Sequence, residues 1–505
     1  MSLEIVQAFT TAFQTIMTPT NITLLLLATL LGVVMGMLPG LGGTITIALL
    51  IPLTFGMDPL VAFMILVAAN GGTGQGGALT AILINTPGKA PNAATILDGY
   101  PMAKQGRAGE AIGASATSSA LGAVLGLTVL VLSLPVMLQI VLLFGAPEIF
   151  WLGVWGLTLL AIIVSGSMVA GLISGGFGLL FAMHGVHQMT ALARWTYGFT
   201  FMLSGFTLVP ALIGLFAVAE MINLISESEQ IAETDATGTV KLSGGRFKGI
   251  KAVLKQKWIF VRSALLGTFI GVIPGVGGTA ANYIAYFQAA QTSKDSDSFG
   301  TGDIRGVIAS ESSNDGKEGG AYIPTLGFGV PGSSSMAVLL GAFLLHGITP
   351  GPLLMQNHLD VVAIVVLSAL FSNIASSMFT LIMANHLTRI TEIDIRYIAP
   401  LVLGVAFFGA YALGNNPFNL FITLFFGLLG YLMIKVDMSR VPMVLGLVLG
   451  PIVESYFFRS LQISANDYGI FIQSPISVFL ILLVIISLFL PYIKKALPQW
   501  RMVNV

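Results

Sequence analysis

The chain contains no cysteine and few charged residues. The absence of cysteine from all 505 residues excludes disulfides, zinc–thiolate sites and cysteine nucleophiles. Only 9% of the residues are charged, whereas a soluble domain carries about 25%. Because 55% of the residues are hydrophobic, the chain cannot cover a water-facing surface with charge. The sequence therefore predicts an integral membrane protein whose outer surface faces the lipid bilayer.

Several functional classes lack their usual signatures. Lysine plus arginine and aspartate plus glutamate number 22 each, so there is no basic footprint for nucleic acid. The first basic residue is Lys89, and we therefore expect no cleaved signal peptide. No lysine follows the glycine-rich stretch 72–76 at phosphate-loop spacing, and the histidines are scattered. We expect neither a cofactor nor a histidine-based metal site.

Apolar runs predict about a dozen transmembrane helices, since one span needs about 20 mostly apolar residues. Clear candidates lie at 22–38, 112–132, 148–165, 168–187, 199–219, 361–384, 396–412, 418–434, 440–454 and 471–492. Shorter or Gly- and Pro-interrupted candidates lie at 44–56, 59–69, 76–86, 260–273, 279–290 and 333–346. The expected fold class is an all-α polytopic membrane protein with broken helices and re-entrant hairpins.

Basic residues predict the orientation of the chain in the membrane. The long polar segment 220–262 begins acidic and ends basic, and basic loops stay in the cytoplasm. The same rule places the loop at 389–396, the loop at 435–440 and the C-terminal tail in the cytoplasm. The loops near 415–416 and 460–467 are then periplasmic.

Two glycine–proline motifs occur twice. GMLPGLGGT at 36–44 is matched by GVIPGVGGT at 271–279, and GGALTAILINTPG at 76–88 is matched by GGAYIPTLGFGVPG at 319–332. Internal duplication is typical of secondary transporters, whose substrate sites lie at the repeat interface on discontinuous helices. We therefore expect two inverted-topology repeats at 1–220 and 258–460, a cytoplasmic polar linker at 221–257, and a terminal helix and tail at 461–505.

The repeated motifs also predict an anion site. Glycine and proline interrupt helices, and the N–H groups at the start of a half-helix attract anions. The candidate substrate-binding residues are Gly40, Gly42, Gly43, Thr44, Asn85, Thr86, Pro87, Gly88, Lys89, Gly275, Gly277, Gly278, Thr279, Pro331, Gly332, Ser333, Ser334 and Ser335. Simpler interpretations stay open: the Pro-Gly pairs as kinks, Lys89 as a residue that sets topology, and the serines as a helix cap.

One charged cluster interrupts the apolar second half. Residues 311–318 carry more charge than their surroundings, which indicates either a solvated loop or a site for a coupling cation at Glu311, Asn314 and Asp315. Asp58 and Asp98 stand beside loop prolines or glycines and are expected to hold turns or caps.

The motifs resemble those of the large membrane (permease) subunit of the tripartite tricarboxylate transporters. The likeness covers nearly the whole chain and rests on GMLPGLGG, GVIPGVGG, AILINTPGKAPNAATILDGYPMAKQGRAGEAIG at 81–113, IPTLGFGVPGSSSMAVLLGAFLLHGITPGP at 323–352 and VPMVLGLVLGPIVESYFFRSL at 441–461. The resemblance places the substrate region at Asn85, Pro87, Gly88, Pro331 and Gly332. The sequence departs from the family pattern at 70–72, where an aromatic pair and glycine are usual, and at 314–318, where small neutral residues are usual.

The resemblance implies a secondary active transporter that imports a small di- or tricarboxylate across the bacterial inner membrane. It implies coupling to a sodium gradient, with protons as the alternative. It also implies a small four-helix membrane subunit and a periplasmic solute-binding protein as partners, and leaves a homodimer open. The rival interpretations are a permease of another binding-protein-dependent organic-acid system, a membrane scaffold and an intramembrane enzyme. No paired catalytic groups are found in the predicted spans, so we expect no enzyme.

Overall fold

The computed structural model describes residues 2–38, 40–163, 167–187, 189–231, 244–274, 277–387 and 395–496, and the fold is almost entirely helical. The helices of the first part are α1 Ser2–Ile16, α2 Pro19–Met37, α3 Gly43–Thr54, α4 Pro59–Ile84, α5 Ala93–Lys104, α6 Ala108–Val141, α7 Ala146–Ile163, α8 Met168–Ala182, α9 Leu208–Leu212 and α10 Ala219–Ile231. Those of the second part are α11 Arg246–Lys255, α12 Lys257–Val272, α13 Gly277–Thr292, α14 Ile304–Phe328, α15 Ser334–Leu345, α16 Pro352–Asn357, α17 Leu359–Leu387, α18 Ile395–Ala412, α19 Phe418–Lys435, α20 Val441–Ile463, α21 Ile470–Gln473 and α22 Pro475–Ala496. Short 3₁₀ turns lie at Ala90–Asn92, Thr200–Met202 and Ser296–Ser298, and β1 Gly185–Val186 pairs antiparallel with β2 Ala193–Arg194.

Membrane-spanning length and composition confirm the expected class, an all-α polytopic membrane protein. Six of the described segments are long and apolar enough to cross a bilayer. They are α2, α6, α17, α19, α20 and Leu208–Ser226, in which a π-helical stretch joins α9 to α10. Shorter apolar helices, among them α3, α8 and α15, accompany them. Exposed apolar side chains such as Leu132 and Phe408 suit an outer surface in contact with lipid.

Helix α4 corrects one prediction. The candidates 59–69 and 76–86 are parts of a single unbroken helix of 26 residues, despite the glycines between them. Those glycines serve helix packing. A Cβ atom on Gly72 would lie 2.2 Å from the Thr29 carbonyl oxygen, and one on Gly76 would lie 2.1 Å from the Val33 carbonyl oxygen. The glycines therefore let α2 approach the backbone of α4, as small residues do in membrane helix pairs.

Helix α14 corrects a second prediction. The charged cluster 311–318 lies in the middle of this helix and is largely buried, so the interpretation as a solvated loop is wrong. Asp303 caps the helix by accepting a hydrogen bond from the Arg305 N–H at 2.8 Å. The apolar-run criterion missed α14 because the helix carries its polar residues inward, against α6, α12 and α13.

The two halves have the same order of elements, and corresponding helices of each half pack against helices of the other half. In each half a helix, a break, a second helix and a long glycine-containing helix follow one another, as α2–α3–α4 and as α12–α13–α14. Helix α2 packs on α4 and α12 packs on α14. Across the halves, α4 packs on α17 and α14 packs on α6, while α3 contacts α15 and α13 contacts α5.

The orientation predicted from the basic residues can be tested on α11. Lys248 and Asp467 are both exposed, and the native chain has no cysteine. We expect Lys248→Cys to be protected from an impermeant thiol reagent added at the periplasmic side of intact cells, and Asp467→Cys to be labelled. The measurement is the labelled fraction before and after permeabilisation. The opposite pattern would reverse the orientation.

Candidate functional site

The glycine–proline breaks of both halves meet around one cavity of about 740 Å³. The predicted residues in its wall are Gly40, Gly42, Gly43, Thr44, Pro87, Gly88, Lys89, Gly278, Thr279, Gly332, Ser333, Ser334 and Ser335. The predicted residues outside its wall are Asn85, Thr86 and Pro331. Gly277 begins α13 and is not assigned to the wall or excluded from it. Gly275 lies outside the described residues.

Three helices of 12 to 16 residues begin at this cavity. The wall contains Gly43 and Thr44 at the start of α3, Gly278 and Thr279 at the start of α13, and Ser334 and Ser335 at the start of α15. The first N–H groups of a helix have no partner within that helix, and the helix dipole places positive potential there. Three such ends directed at one space suit a ligand with negative charge.

The breaks of opposite halves touch each other directly. The hydroxyl oxygens of Thr44 and Ser335 are 3.4 Å apart. Between the other two breaks, the Asn282 side-chain N–H donates to the Pro91 carbonyl oxygen at 2.8 Å. The cavity is therefore bounded by contacts that cross between the two halves.

The serines at the start of α15 divide into two roles. The Ser333 hydroxyl caps the helix by accepting from the Met336 N–H at 3.4 Å, which confirms the capping interpretation for this residue. The Gly332 N–H donates to the Thr325 hydroxyl at 3.1 Å. The Gly332 N–H is thus engaged within the protein, and Ser333 uses its oxygen as the cap while it keeps its own O–H. Ser334 and Ser335 do not cap the helix, and Ser335 also contacts Thr44.

Sequence reasoning missed several charged residues of the wall. They are Glu220, Lys317, Glu318, Asp437 and Arg440. No apolar-run or loop rule identifies Lys317 and Glu318, since both lie inside α14. Arg440 was expected only to set the topology. It ends the loop 436–440, which borders one side of the cavity.

The charges of the wall are partly neutralised among themselves. The Lys317 ammonium donates to Glu318 Oε1 at 2.7 Å, and the Lys89 ammonium lies 4.0 Å from the same oxygen. The Arg440 guanidinium donates to Glu220 Oε2 and to the Leu215 carbonyl oxygen, both at 3.0 Å. Two ammonium groups therefore share the Glu318 carboxylate, while the wall as a whole has three basic and three acidic side chains.

Glu311 is fully buried and already hydrogen-bonded. Its Oε1 accepts from the side chains of Asn92 and Thr95, and its Oε2 accepts from the Ser119 hydroxyl at 3.2 Å. These bonds join α14 to residues 92–95, which follow the Pro-Gly break at 87–88, and to α6. Among the residues predicted to bind a cation, Glu311 therefore has the clearest structural role.

Asn314 and Asp315 lie one turn further along α14 and are also buried. Both polar atoms of the Asn314 amide lack a hydrogen-bond partner, as does Asp315 Oδ2. A second cavity of about 10 Å³ lies beside Asp315. Its wall is formed by Asn70, Gly71, Ala123, Leu127, Asp315, Glu318, Gly319, Tyr322, Ala369 and Asn373. Both segments that depart from the family pattern contribute to this wall.

Asp58 acts as the expected cap, whereas Asp98 lies inside α5 and holds the distant loop that precedes α14. Asp58 caps α4 by accepting from the Leu60 N–H at 3.0 Å. Asp98 Oδ1 accepts from the backbone N–H groups of Gly300, Gly302 and Asp303 at 2.8–2.9 Å. Burial raises the pKa of Asp303, but hydrogen bonds from Arg305 and Ser298 outweigh burial, so the pKa of Asp303 lies below its ordinary value.

Comparison with known proteins identifies the family of the chain. Residues 22–445 match the tripartite tricarboxylate transporter TctA family. An uncharacterised 52.8 kDa protein in the TAR-I ttuC' 3' region of Agrobacterium vitis is 33% identical over 480 residues, which cover 95% of this chain and 94% of that protein. An uncharacterised protein in the TAR-II ttuC' 3' region of the same organism is 33% identical over 236 residues, which cover 46% of this chain and 98% of that protein. No solved structure matches the chain.

The family match spans both glycine–proline repeats and the whole cavity wall. A relative similar over almost its entire length shows that the likeness is not confined to single motifs. The chain is therefore a multi-pass inner-membrane protein that belongs to the tripartite tricarboxylate transporter TctA family, a family of transport permeases.

Proposed function

We propose that this permease imports a small di- or tricarboxylate and that the large cavity is its substrate site. The observation that carries the proposal is the convergence of three helix N-termini with Lys89 and Lys317 on one space of about 740 Å³. A carboxylate in this space gains charge-assisted hydrogen bonds from ammonium, hydroxyl and backbone N–H donors. A structural scaffold has no need for such a cavity.

Two inverted-topology repeats, at 1–220 and 258–460, provide the framework for alternating access. The repeated order of elements and the exchange of packing partners between α4–α17 and α14–α6 support this symmetry. Transporters built from such repeats move one part against the other around a fixed midplane site. The polar linker 221–257 and the segment 461–505 stand outside the repeats.

The cavity faces the cytoplasm in this conformation. Its wall includes Asp437, Ser439 and Arg440, in the loop that the basic residues place in the cytoplasm, together with Glu220 at the start of the cytoplasmic segment.

The driving ion is sodium, with protons as the alternative, and the partners are a small four-helix membrane subunit and a periplasmic solute-binding protein. The tripartite nature of the family supports the partners. The buried, unpartnered oxygen of Asp315 supports an ion site within the membrane. A homodimer is compatible with the exposed apolar surface and would be detected by the mass of the purified protein.

Ser334 and Ser335 provide the test of the substrate site. Each hydroxyl that donates to a carboxylate contributes about 1.5–3 kcal/mol. We expect Ser334→Ala combined with Ser335→Ala to raise the half-saturation concentration for labelled citrate or succinate uptake at least about 10-fold. Expression should be unchanged, because neither hydroxyl caps the helix.

Ser333→Ala is the comparison variant, because this hydroxyl lies in the same wall and also caps α15. Loss of a cap costs about 1 kcal/mol of stability, so this variant should lower thermal stability more than substrate affinity. Unchanged uptake and unchanged binding in the Ser334 and Ser335 variant would show that the break at 331–335 is structural only.

A further inference from the structure

The small cavity lies where the central helices of both halves cross. Residues of α4, α6, α14 and α17 form its wall, and its volume of about 10 Å³ has room for about one water-sized particle. The polar residues of the wall are Asn70, Asn373, Tyr322, Asp315 and Glu318.

The two carboxylates of this wall are incompletely satisfied. Asp315 is 3% exposed, and its Oδ2 has no hydrogen-bond partner. Glu318 Oε1 accepts a hydrogen bond from the Lys317 ammonium, while the buried Oε2 has no hydrogen-bond partner. Within the described part of the chain, no basic side chain forms a salt bridge with Asp315. The Lys89 ammonium lies on the side of Asp315 Oδ1, since both atoms would be within 3.4 Å of a Cβ on Gly74. A buried carboxylate oxygen without a hydrogen-bond partner, as Oδ2 is, is costly and indicates a missing ligand.

The size and charge of the site favour a small monovalent cation. Lys317 and Lys89 both approach Glu318 Oε1, whereas Asp315 Oδ2 and Glu318 Oε2 have no partner and can together accept one small cation. The described residues contain no cluster of three histidine, aspartate or glutamate side chains that could hold a metal ion such as zinc. Amide, hydroxyl and carboxylate oxygens are hard ligands, which suit sodium.

Glu318 belongs to the walls of both cavities. Its Oε1 contacts the Lys317 ammonium and approaches the Lys89 ammonium on the side of the large cavity. Its Oε2 stays free of the lysines. One carboxylate is therefore placed between the site for an anion and the site for a cation.

We propose that the small cavity binds a sodium ion through Asp315 and Glu318, and that Glu318 couples this ion to the carboxylate substrate. A bound cation attracts Glu318 toward the small cavity and weakens its hold on Lys89 and Lys317. The freed ammonium groups then bind the substrate carboxylates. This inference rests on the proposed transport function and adds the ion site and the residue that connects it to the substrate.

The experiment uses the purified full-length chain in lipid nanodiscs. Thermal stability is measured in sodium, potassium and choline chloride, and labelled citrate or succinate binding is measured as a function of sodium concentration. For the unmodified chain we expect stabilisation by sodium but not by choline, because a ligand that binds only the folded state stabilises it. We also expect sodium to raise carboxylate affinity about 10-fold, the effect of one hydrogen bond to a charged group.

Two variants separate ion binding from coupling. Asp315→Asn should raise the sodium concentration for half-maximal effect at least about 10-fold, because it removes the unpaired anionic ligand. Glu318→Gln should bind carboxylate without sodium nearly as tightly as the unmodified chain does with sodium, because the lysines are no longer held. Asp360→Asn, at the start of α17 and outside both cavity walls, is the control and should keep the normal sodium dependence.

Normal sodium dependence in both Asp315→Asn and Glu318→Gln would overturn the inference. Dependence of binding on pH but not on sodium would also overturn it, since protons would then be the coupling ion. If Glu318→Gln does not fold, the sodium response of Asp315→Asn decides alone. A chain that sodium stabilises through Asp315, but that binds no carboxylate at any sodium concentration, would contradict the proposed transport function and leave the ion site supported.

Discussion

Replacement of Lys89 by glutamine is expected to raise the half-saturation concentration for carboxylate uptake by about 10- to 100-fold. The Lys89 side chain is 14% exposed and lies in the wall of the large cavity, beside the break of the first half. A hydrogen bond from an ammonium to a carboxylate is worth about 1.5–3 kcal/mol, and each 1.4 kcal/mol is about tenfold in affinity. Glutamine keeps a donor and most of the length but removes the charge.

Lys104→Gln is the matched control for this substitution. Lys104 is an exposed lysine at the end of α5 whose ammonium lies 4.6 Å from the centre of the Tyr100 ring, away from the cavity. It makes the same change in net charge. Direct binding of labelled citrate and succinate, alongside uptake, separates affinity from turnover.

The result also decides between the two interpretations of Lys89. If Lys89 only sets the topology, Lys89→Gln should alter the labelling of a cysteine at Lys248 and leave the affinity of correctly inserted protein unchanged. Normal affinity with normal labelling would remove Lys89 from both roles. Lys317 and the helix N-termini would then have to supply the whole anion site.

The site could be predicted from the sequence as far as the backbone determines it. Proline and glycine fix where helices stop, and their recurrence in both halves indicates that the stops face one another. Accordingly, the breaks near Gly42, Gly88, Gly278 and Gly332 do line one cavity. What the motif cannot show is which donors the protein uses itself, as with the Gly332 N–H that bonds to Thr325.

The hydropathy rule that finds membrane helices did not identify the charged cluster 311–318 as part of a helix. A span is recognised from its average hydropathy, and α14 carries Glu311, Asp315, Lys317 and Glu318 within 25 residues. These charges are tolerated because α6, α12 and α13 enclose the helix and because Glu311 and Glu318 accept hydrogen bonds. Only the three-dimensional packing shows that the cluster is the buried centre of the molecule rather than a loop.

Helix α4 shows the same limit for glycine. In a sequence, a run of glycines predicts a break, because glycine is a poor helix former. In α4, Gly72 and Gly76 face α2. A Cβ atom on either residue would lie only 2.1–2.2 Å from a carbonyl oxygen of α2, so only glycine allows the two backbones to come this close. The gain from close packing between membrane helices outweighs the weak propensity.

Gly88→Ala is expected to abolish uptake and to lower the stability of the folded protein. A Cβ atom on Gly88 would lie 1.9 Å from the Gly36 carbonyl oxygen and 2.6 Å from the Gly77 Cα atom. Both obstacles are backbone atoms, so no side-chain rotation can relieve the contact, and the segment at Gly88 must move away from α2 and α4. Overpacking of this kind costs about 1–3 kcal/mol or more.

Gly404→Ala is the control that isolates this steric effect. Gly404 lies within α18, and a Cβ atom there would meet nothing within 4 Å. Alanine favours a helix by about 1 kcal/mol over glycine, so Gly404→Ala should be neutral or stabilising. Thermal unfolding in detergent and uptake are measured for both variants. If Gly88→Ala matched the unmodified chain in both measurements, the close approach of the second break to α2 would not be required, and the cavity would owe its shape to the contacts between Thr44 and Ser335 instead.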